Sequence, residues 1–290
     1  MLAAIAAAAA ARPALAQPSL MTKLIPSSGE SLPVIGIGTW QAFDVRDDTS
    51  ALREVMKAFS AAGGRVVDSS PMYGAAESVV GELADELGLR DKLFFATKVW
   101  TSGRAEGIRQ MESSFKRMRV KRMDLLQVHN LVDVDTHTRT LLEMKAADRT
   151  RYIGITHYSA SAHEQVQTRL KGGQYDFVQI NYSLGERNAE KRLLSVAQDR
   201  NVAVIVNRPF AEGALFRRVK GRALPAWAAE LGIQSWAQYF LKWIVSHPAV
   251  TCAIPGTGNP QHMKDNLAAG RGRLPDAAAR KRMTEHFSSL

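Results

Sequence analysis

The chain has 290 residues, 46% of them hydrophobic and 23% charged, and a formal net charge of +10 at pH 7, a balance that excludes a disordered or fibrous chain. Its one cysteine, Cys252, excludes an intramolecular disulfide, and in the apolar run "AVTCAIPG" it reads as a small core residue. The basic residues are scattered, and neither "FKRMRVKRMD" nor "RGRLPDAAARKRM" interleaves aromatics with cations, which argues against nucleic acid as a partner.

In chain order, residues 1–17 come first as an alanine-rich, acid-free, signal-like segment. Ala14 and Ala16 precede Gln17 with the small-residue spacing that signal peptidase requires, so export to the periplasm is expected, with a cytoplasmic extension as the alternative. The run is too short to span a bilayer, and no later segment is apolar for long enough. A lead-in covers 18–31. From Leu32, short β-rich runs alternate with amphipathic stretches. The β-rich runs are "LPVIGIGTW", "GRVVDSS", "KLFFATKVW", "MDLLQVHN", "RYIGITHYS", "DFVQINYS", "VAVIVNRPF" and "VTCAIPGT". Most are apolar almost throughout, as strands covered on both faces are. The stretches between them carry helical periodicity, and "DTSALREVMKAFSAAGG" starts at an Asp or Thr cap and stops at glycine.

About eight β-α units over roughly 240 residues predict one (β/α)8 TIM barrel over 32–270, followed by a basic C-terminal tail at 271–290. A doubly wound sheet is the alternative, but no G-x-G-x-x-G follows the first strand. The long segment "AEGALFRRVKGRALPAWAAELGI" predicts an active-site flap with a short helix.

A barrel gathers the polar residues at the C-terminal ends of its strands around one pocket. Those ends carry Thr39 and Trp40, Asp68 with Tyr73 just beyond, Lys98 and Trp100, His129 and Asn130, Thr156 and His157, Gln179 and Asn181, Asn207 and Arg208, and Thr257. Asp68, Lys98 and His129 come from neighbouring strands. A phenol is a weak acid near pKa 10, and an adjacent lysine is expected to lower that value. Asp68 would balance a buried Lys98, and His129 would orient a carbonyl or relay a proton. Trp40 and Trp100 are expected to line the substrate pocket, and Glu77 to dock a helix. No two histidines at i and i+4 have a third ligand in view, so no metal is expected.

"VVDSSPMYGAAESVVGELA", "FFATKVW", "DLLQVHN", "IGITHYS", "VQINYS" and "IPGTGNPQHMKDN" resemble, in order, the motifs of the aldo-keto reductase family. The resemblance covers Leu32 to about Gly270. It implies reduction of aldehydes or ketones with a nicotinamide dinucleotide, most often NADPH, with NADH as the alternative, and a monomer. It implies Tyr73 as proton donor, Lys98 lowering its pKa, Asp68 paired with Lys98, and His129 orienting the carbonyl. Cofactor contacts carried over are Thr39, Thr156, His157, Gln179, Asn207, Arg208, Phe210, Thr257, His262 and Asn266. The family's usual Ser-Asn is Thr156-His157 here, its frequent stacking aromatic is Asn207, and its frequent arginine is His262. A Schiff-base lyase using Lys98, and a cofactor-binding regulatory subunit, are the alternative functions. Export sits awkwardly with NADPH, which a periplasm does not supply.

Overall fold

The alternation of apolar runs and amphipathic stretches becomes a ring of strands wrapped by helices in the computed structural model, which describes residues 19–290. The signal-like segment 1–17 lies outside the described residues. An antiparallel hairpin leads, made of β1 (Thr22–Leu24) and β2 (Ser31–Pro33). Eight strands follow in a sheet ordered as the chain runs: β3 (Ile37–Gly38), β4 (Val66–Asp68), β5 (Phe94–Val99), β6 (Met123–His129), β7 (Thr150–His157), β8 (Phe177–Asn181), β9 (Ala203–Asn207) and β10 (Val250–Ala253). Every pairing in it is parallel. The edge strands meet across a short seam, where Ile35 bridges Ala253 and Gly38 bridges Gly256. Glycine is required at this seam, because a Cβ on Gly38 would stand 2.8 Å from the Ile254 carbonyl oxygen.

The helices α1 (Ser50–Ala61), α2 (Ala76–Glu86), α3 (Arg104–Met118), α4 (Val134–Ala146), α5 (His163–Leu170), α6 (Leu193–Asp199), α7 (Ala214–Arg218), α8 (Trp236–Val245), α9 (Pro260–Ala268) and α10 (Ala277–Ser288) complete the (β/α)8 barrel. Helix α1 shows the packing logic: Leu52, Val55, Met56 and Phe59 form one buried stripe at helical spacing. Its cap differs slightly from expectation. Thr49 makes no side-chain cap, and Asp48 accepts the Ser50 N–H at 2.8 Å instead. None of the described helices is long and apolar enough to cross a membrane.

Strand periodicity sorts the barrel interior into tiers. Val67, Phe95, Leu126 and Val128 pack outward under the helices. Val66, Phe94, Leu125, Tyr152, Phe177 and Ala203 face inward with Ile25 and Leu32 of the hairpin. The hairpin therefore seals the N-terminal end of the barrel with apolar side chains. Each large side chain so buried contributes about 1.5–3 kcal/mol. Two or four residues further along β4 to β8, the same inward face carries Asp68, Lys98, Gln127, Thr156 and Gln179. The pairing register sets Lys98 beside Gln127 and Thr156 beside Gln179.

Three expectations are corrected. Ser31–Pro33 belongs to the hairpin rather than to the first barrel strand, because Pro33 has no N–H to continue a ladder. Residues 271–290 are not a plain tail. They contain α10, capped by Asp276, which accepts the Ala279 N–H at 2.9 Å, and docked through buried Met283 and Phe287. The flap holds a second helical piece, a 3₁₀ turn at Ala226–Leu231, besides α7.

Candidate active site

Strand β4 delivers Asp68 into the upper tier, where four other segments converge on it. The Lys98 Nζ donates to Asp68 Oδ2 at 2.6 Å. Gln179 and Gln127 donate to Oδ1 at 2.8 and 3.1 Å. Thr39, beyond β3, donates through its hydroxyl to the Asp68 carbonyl at 3.0 Å. A fully buried carboxylate and ammonium are tolerated because their hydrogen-bonding capacity is met on the spot. Lys98 spends a second proton on the Ser69 carbonyl at 2.7 Å, and its Nζ lies 5.1 Å from the Tyr73 ring centroid.

The loop after β4 explains the Tyr73-Gly74 pair. The chain turns at Ser70, whose carbonyl accepts the Tyr73 N–H at 3.0 Å. Gly74 then adopts φ +57°, and a Cβ there would lie 2.1 Å from Asp44 Oδ1. Asp44 takes that space and accepts the Ala75 N–H at 2.9 Å, which fixes the start of α2. Glycine thus lets the helix begin where the phenol is held over Lys98. In the first turn of α2, buried Glu77 accepts from Thr97, Ser114 and Arg117, tying α2 to β5 and α3.

The electrostatics alter one expectation. Burial pushes the Tyr73 phenol above its ordinary value, the Lys98 charge pulls it down, and Asp68 pushes it up again. The net direction is upward, not downward. The physical reason is that Asp68 already balances Lys98, leaving too little charge to outweigh desolvation. Burial opposes the Lys98 charge, but Asp68 and Tyr73 hold its pKa above the ordinary value.

His129 ends β6, edge-on to Tyr73 with ring centroids 6.0 Å apart. Burial, then Lys98 and His157, push its pKa down to about 3, so it is a neutral imidazole at working pH. Below its ordinary value of 6.5 the unfolded chain takes up a proton there that the folded chain declines until about pH 3. Stability from this group is therefore complete above pH 6.5 and is lost as pH falls from there, by up to a few kcal/mol. His247, pushed down to about 4 by burial, adds to the same window. The thermal midpoint should fall steeply over that range, and less steeply in His129→Gln. Equal slopes in the two proteins would contradict this account.

A cavity of about 780 Å³ opens above the upper tier. Thr39, Trp40, Asp68, Tyr73, Trp100, His129, Thr156, Gln179, Asn207, Arg208 and Phe210 all reach its wall. Lys98 lies beneath, with no exposed surface. His157 does not reach the wall. Its Nδ1 accepts the Ser159 N–H at 3.1 Å, and its ring stacks on Tyr158, which lines the cavity instead. Thr257, His262 and Asn266 also stand off the cavity, although Gly256 before them lines it. Thr257 Oγ1 accepts the Asn259 N–H at 3.0 Å, His262 is exposed in the first turn of α9, and Asn266 is buried a turn later.

Around the rim, Gln41, Asn130, Arg208, Ala211 and Glu212 hold left-handed backbone without being glycine. Such strain gathers where loops are over-determined by a site. Arg208 donates to the Tyr158 carbonyl at 3.0 Å and pairs with Glu212 at 3.2 Å. Its Nε and the Asn207 Oδ1 are buried without a partner among the described residues. Sequence reasoning missed Gln127, Ser70, Tyr158, Met72 and Phe216. Only Gln127 carried a signal, since two residues before His129 is the same strand face.

Residues 34–283 match the model of the family described as "Aldo/keto reductase family". The chain is 29% identical over 266 residues to methylglyoxal reductase YeaE of Escherichia coli (strain K12), covering 89% of this chain and 93% of that protein. Its fold is similar to a Klebsiella pneumoniae aldo-keto reductase solved in complex with NADPH, with a TM-score of 0.75 and 24% identity, over 93% of this chain and 95% of that one. The holo form of a Bacillus halodurans aldo-keto reductase superposes with a TM-score of 0.76 at 20% identity, over 92% and 96% of the two chains.

Proposed function

The chain belongs to the aldo/keto reductase family, and from that premise we propose that it is an NADPH-dependent reductase of aldehyde and ketone carbonyls with Tyr73 as proton donor. The observation that carries the roles is the stacking of three layers: the Asp68–Lys98 pair, the Tyr73 phenol above it, and a cavity lined by neutral His129. The raised pKa of Tyr73 suits a donor, which must hold its proton until the carbonyl oxygen gains charge. Lys98 then stabilises the phenolate left behind, and Asp68 with its two amide donors keeps that ammonium in place. His129, neutral, hydrogen-bonds the carbonyl oxygen rather than delivering a proton.

When bound, NADPH supplies the hydride. The wall suits a nicotinamide: Asn207 Oδ1 and Arg208 Nε offer a free acceptor and a free donor to a carboxamide. Thr156, Gln179 and Phe210 line the same cavity. Thr39 lines it too, His157 would act from behind Tyr158, and Thr257, His262 and Asn266 would hold the adenosine end beside the N-terminus of α9, where phosphate is favoured. The Schiff-base reading is disfavoured, because Lys98 is buried, charged and bonded to Asp68 and Ser69. NADPH oxidation followed by absorbance over a panel of aldehydes, with a matched NADH series, tests the reading. No turnover with either cofactor would overturn it.

The substrate end is apolar. Trp40, Met72, Trp100, Tyr158 and Phe216 are large, exposed hydrophobic side chains, and all of them line the cavity. We therefore expect aromatic aldehydes to be reduced with higher kcat/KM than methylglyoxal. Trp100 lies 5.6 Å from the His129 ring, so Trp100→Ala should raise KM for an aromatic aldehyde about tenfold with a smaller change in kcat. An unchanged KM would remove Trp100 from the substrate wall. A monomer as the working unit is part of the same proposal, and light scattering of the purified protein tests it. Ala14 and Ala16 before Gln17 support export as part of the same proposal, which the N-terminal sequence of the processed protein tests.

A further inference from the structure

Beneath the cavity, and not on its wall, Ser70 faces His129. The serine is 1% exposed and the histidine 8% exposed. Ser70 Oγ lies 3.1 Å from His129 Nδ1. The same oxygen accepts the Met72 N–H at 3.4 Å. Among the described residues, no other acceptor stands within reach of that hydroxyl. If Nδ1 carried a proton, it would donate to Ser70 Oγ, and the serine proton would be buried without a partner, which is costly. The consistent arrangement has Ser70 donating to Nδ1. A neutral imidazole has one ring proton, which then sits on Nε2.

We propose that Ser70 fixes the tautomer of His129, so that the ring presents an Nε2–H donor to the cavity. The opposite tautomer would present a lone pair, which repels a carbonyl oxygen. Ser70 touches neither substrate nor cofactor and is a positioning residue acting through His129. Its catalytic effect rests on the reductase reading, whereas the tautomer does not.

Ser70→Ala removes the donor without adding bulk. Turnover should fall about tenfold, while NADPH affinity, read by quenching of protein fluorescence, stays the same. In a His129→Gln background the same change should cost nothing further, since the serine then has no ring to orient. Ser70→Thr, which keeps a hydroxyl, should recover part of the loss. Independently, ¹⁵N spectra of histidine-labelled resting protein, with His129→Gln for assignment, should show Nε2 protonated and Nδ1 bare. The alanine variant should show mixed tautomers. Equal losses in both backgrounds, no loss in either, or a protonated Nδ1 in the wild type would each overturn the proposal. Wild type that shows the Nε2–H form but turns over no carbonyl would overturn the reductase reading and, with it, the catalytic role of Ser70, leaving the tautomer assignment intact.

Discussion

Tyr73→Phe is expected to lower turnover by a factor of roughly 10²–10⁴ while NADPH still binds with its wild-type affinity. The substitution deletes one hydroxyl and nothing else. The ring keeps its edge-on contact with His129 and its place over Lys98, so no cavity opens in the wall. What disappears is the acidic proton held directly above the buried ammonium. Neutral His129, with a pKa of about 3, is a poor substitute as an acid. Single-turnover kinetics on pre-bound NADPH would separate the chemical step from product release. A variant that retained turnover within about threefold would show that the proton comes from elsewhere.

Lys98→Met is expected to be the most damaging single change to the fold as well as to the chemistry. It leaves the Asp68 carboxylate buried, with two amide donors but no counter-charge. Breaking a buried pair from one side costs about 3–5 kcal/mol. Urea unfolding should show that loss, and the double variant Lys98→Met/Asp68→Asn should recover part of it, because the stranded charge is gone. A double variant no more stable than the single one would show that the pair contributes nothing as a pair. The pH dependence has a definite sign. Lys98 is held above its ordinary value of 10.5, so its contribution is complete below that pH and is lost only in stronger alkali.

The barrel was legible because its strands are short, apolar and separated by turns, and because period-two alternation survives in "FFATK" and "DLLQVH". Asp68, Lys98 and His129 were legible for the same reason, since each stands at a strand's last or next-to-last residue and the ring turns sequence order into neighbourhood. Residues past a strand end were harder. There the backbone leaves the alternation, so nothing in "THYS" says that Tyr158 lines the cavity while His157 turns to the Ser159 N–H. Ser70 was invisible because its partner comes from a different strand, 59 residues away. The direction of the Tyr73 shift depends on how deeply the loop buries the phenol, a quantity that spacing does not contain. Helix α10 was hidden by charge: the basic residues of "ARKRM" drew attention from Met283 and Phe287, whose spacing of one helical turn docks it.

The single carboxylate on which β4, β5, β6 and β8 converge has a consequence for how such a molecule can change over time. Asp68, Lys98 and His129 are rooted in strands, and the short loop after β4 holds Tyr73 over Lys98, so altering any of them strains its partners. Trp40, Met72, Trp100 and Tyr158 project from connecting segments and Phe216 from the short flap helix α7, and none of their side chains bonds to the Asp68 carboxylate. A lineage can therefore exchange the aromatic fringe piece by piece, trying new substrates, while inheriting the reaction itself as one indivisible part.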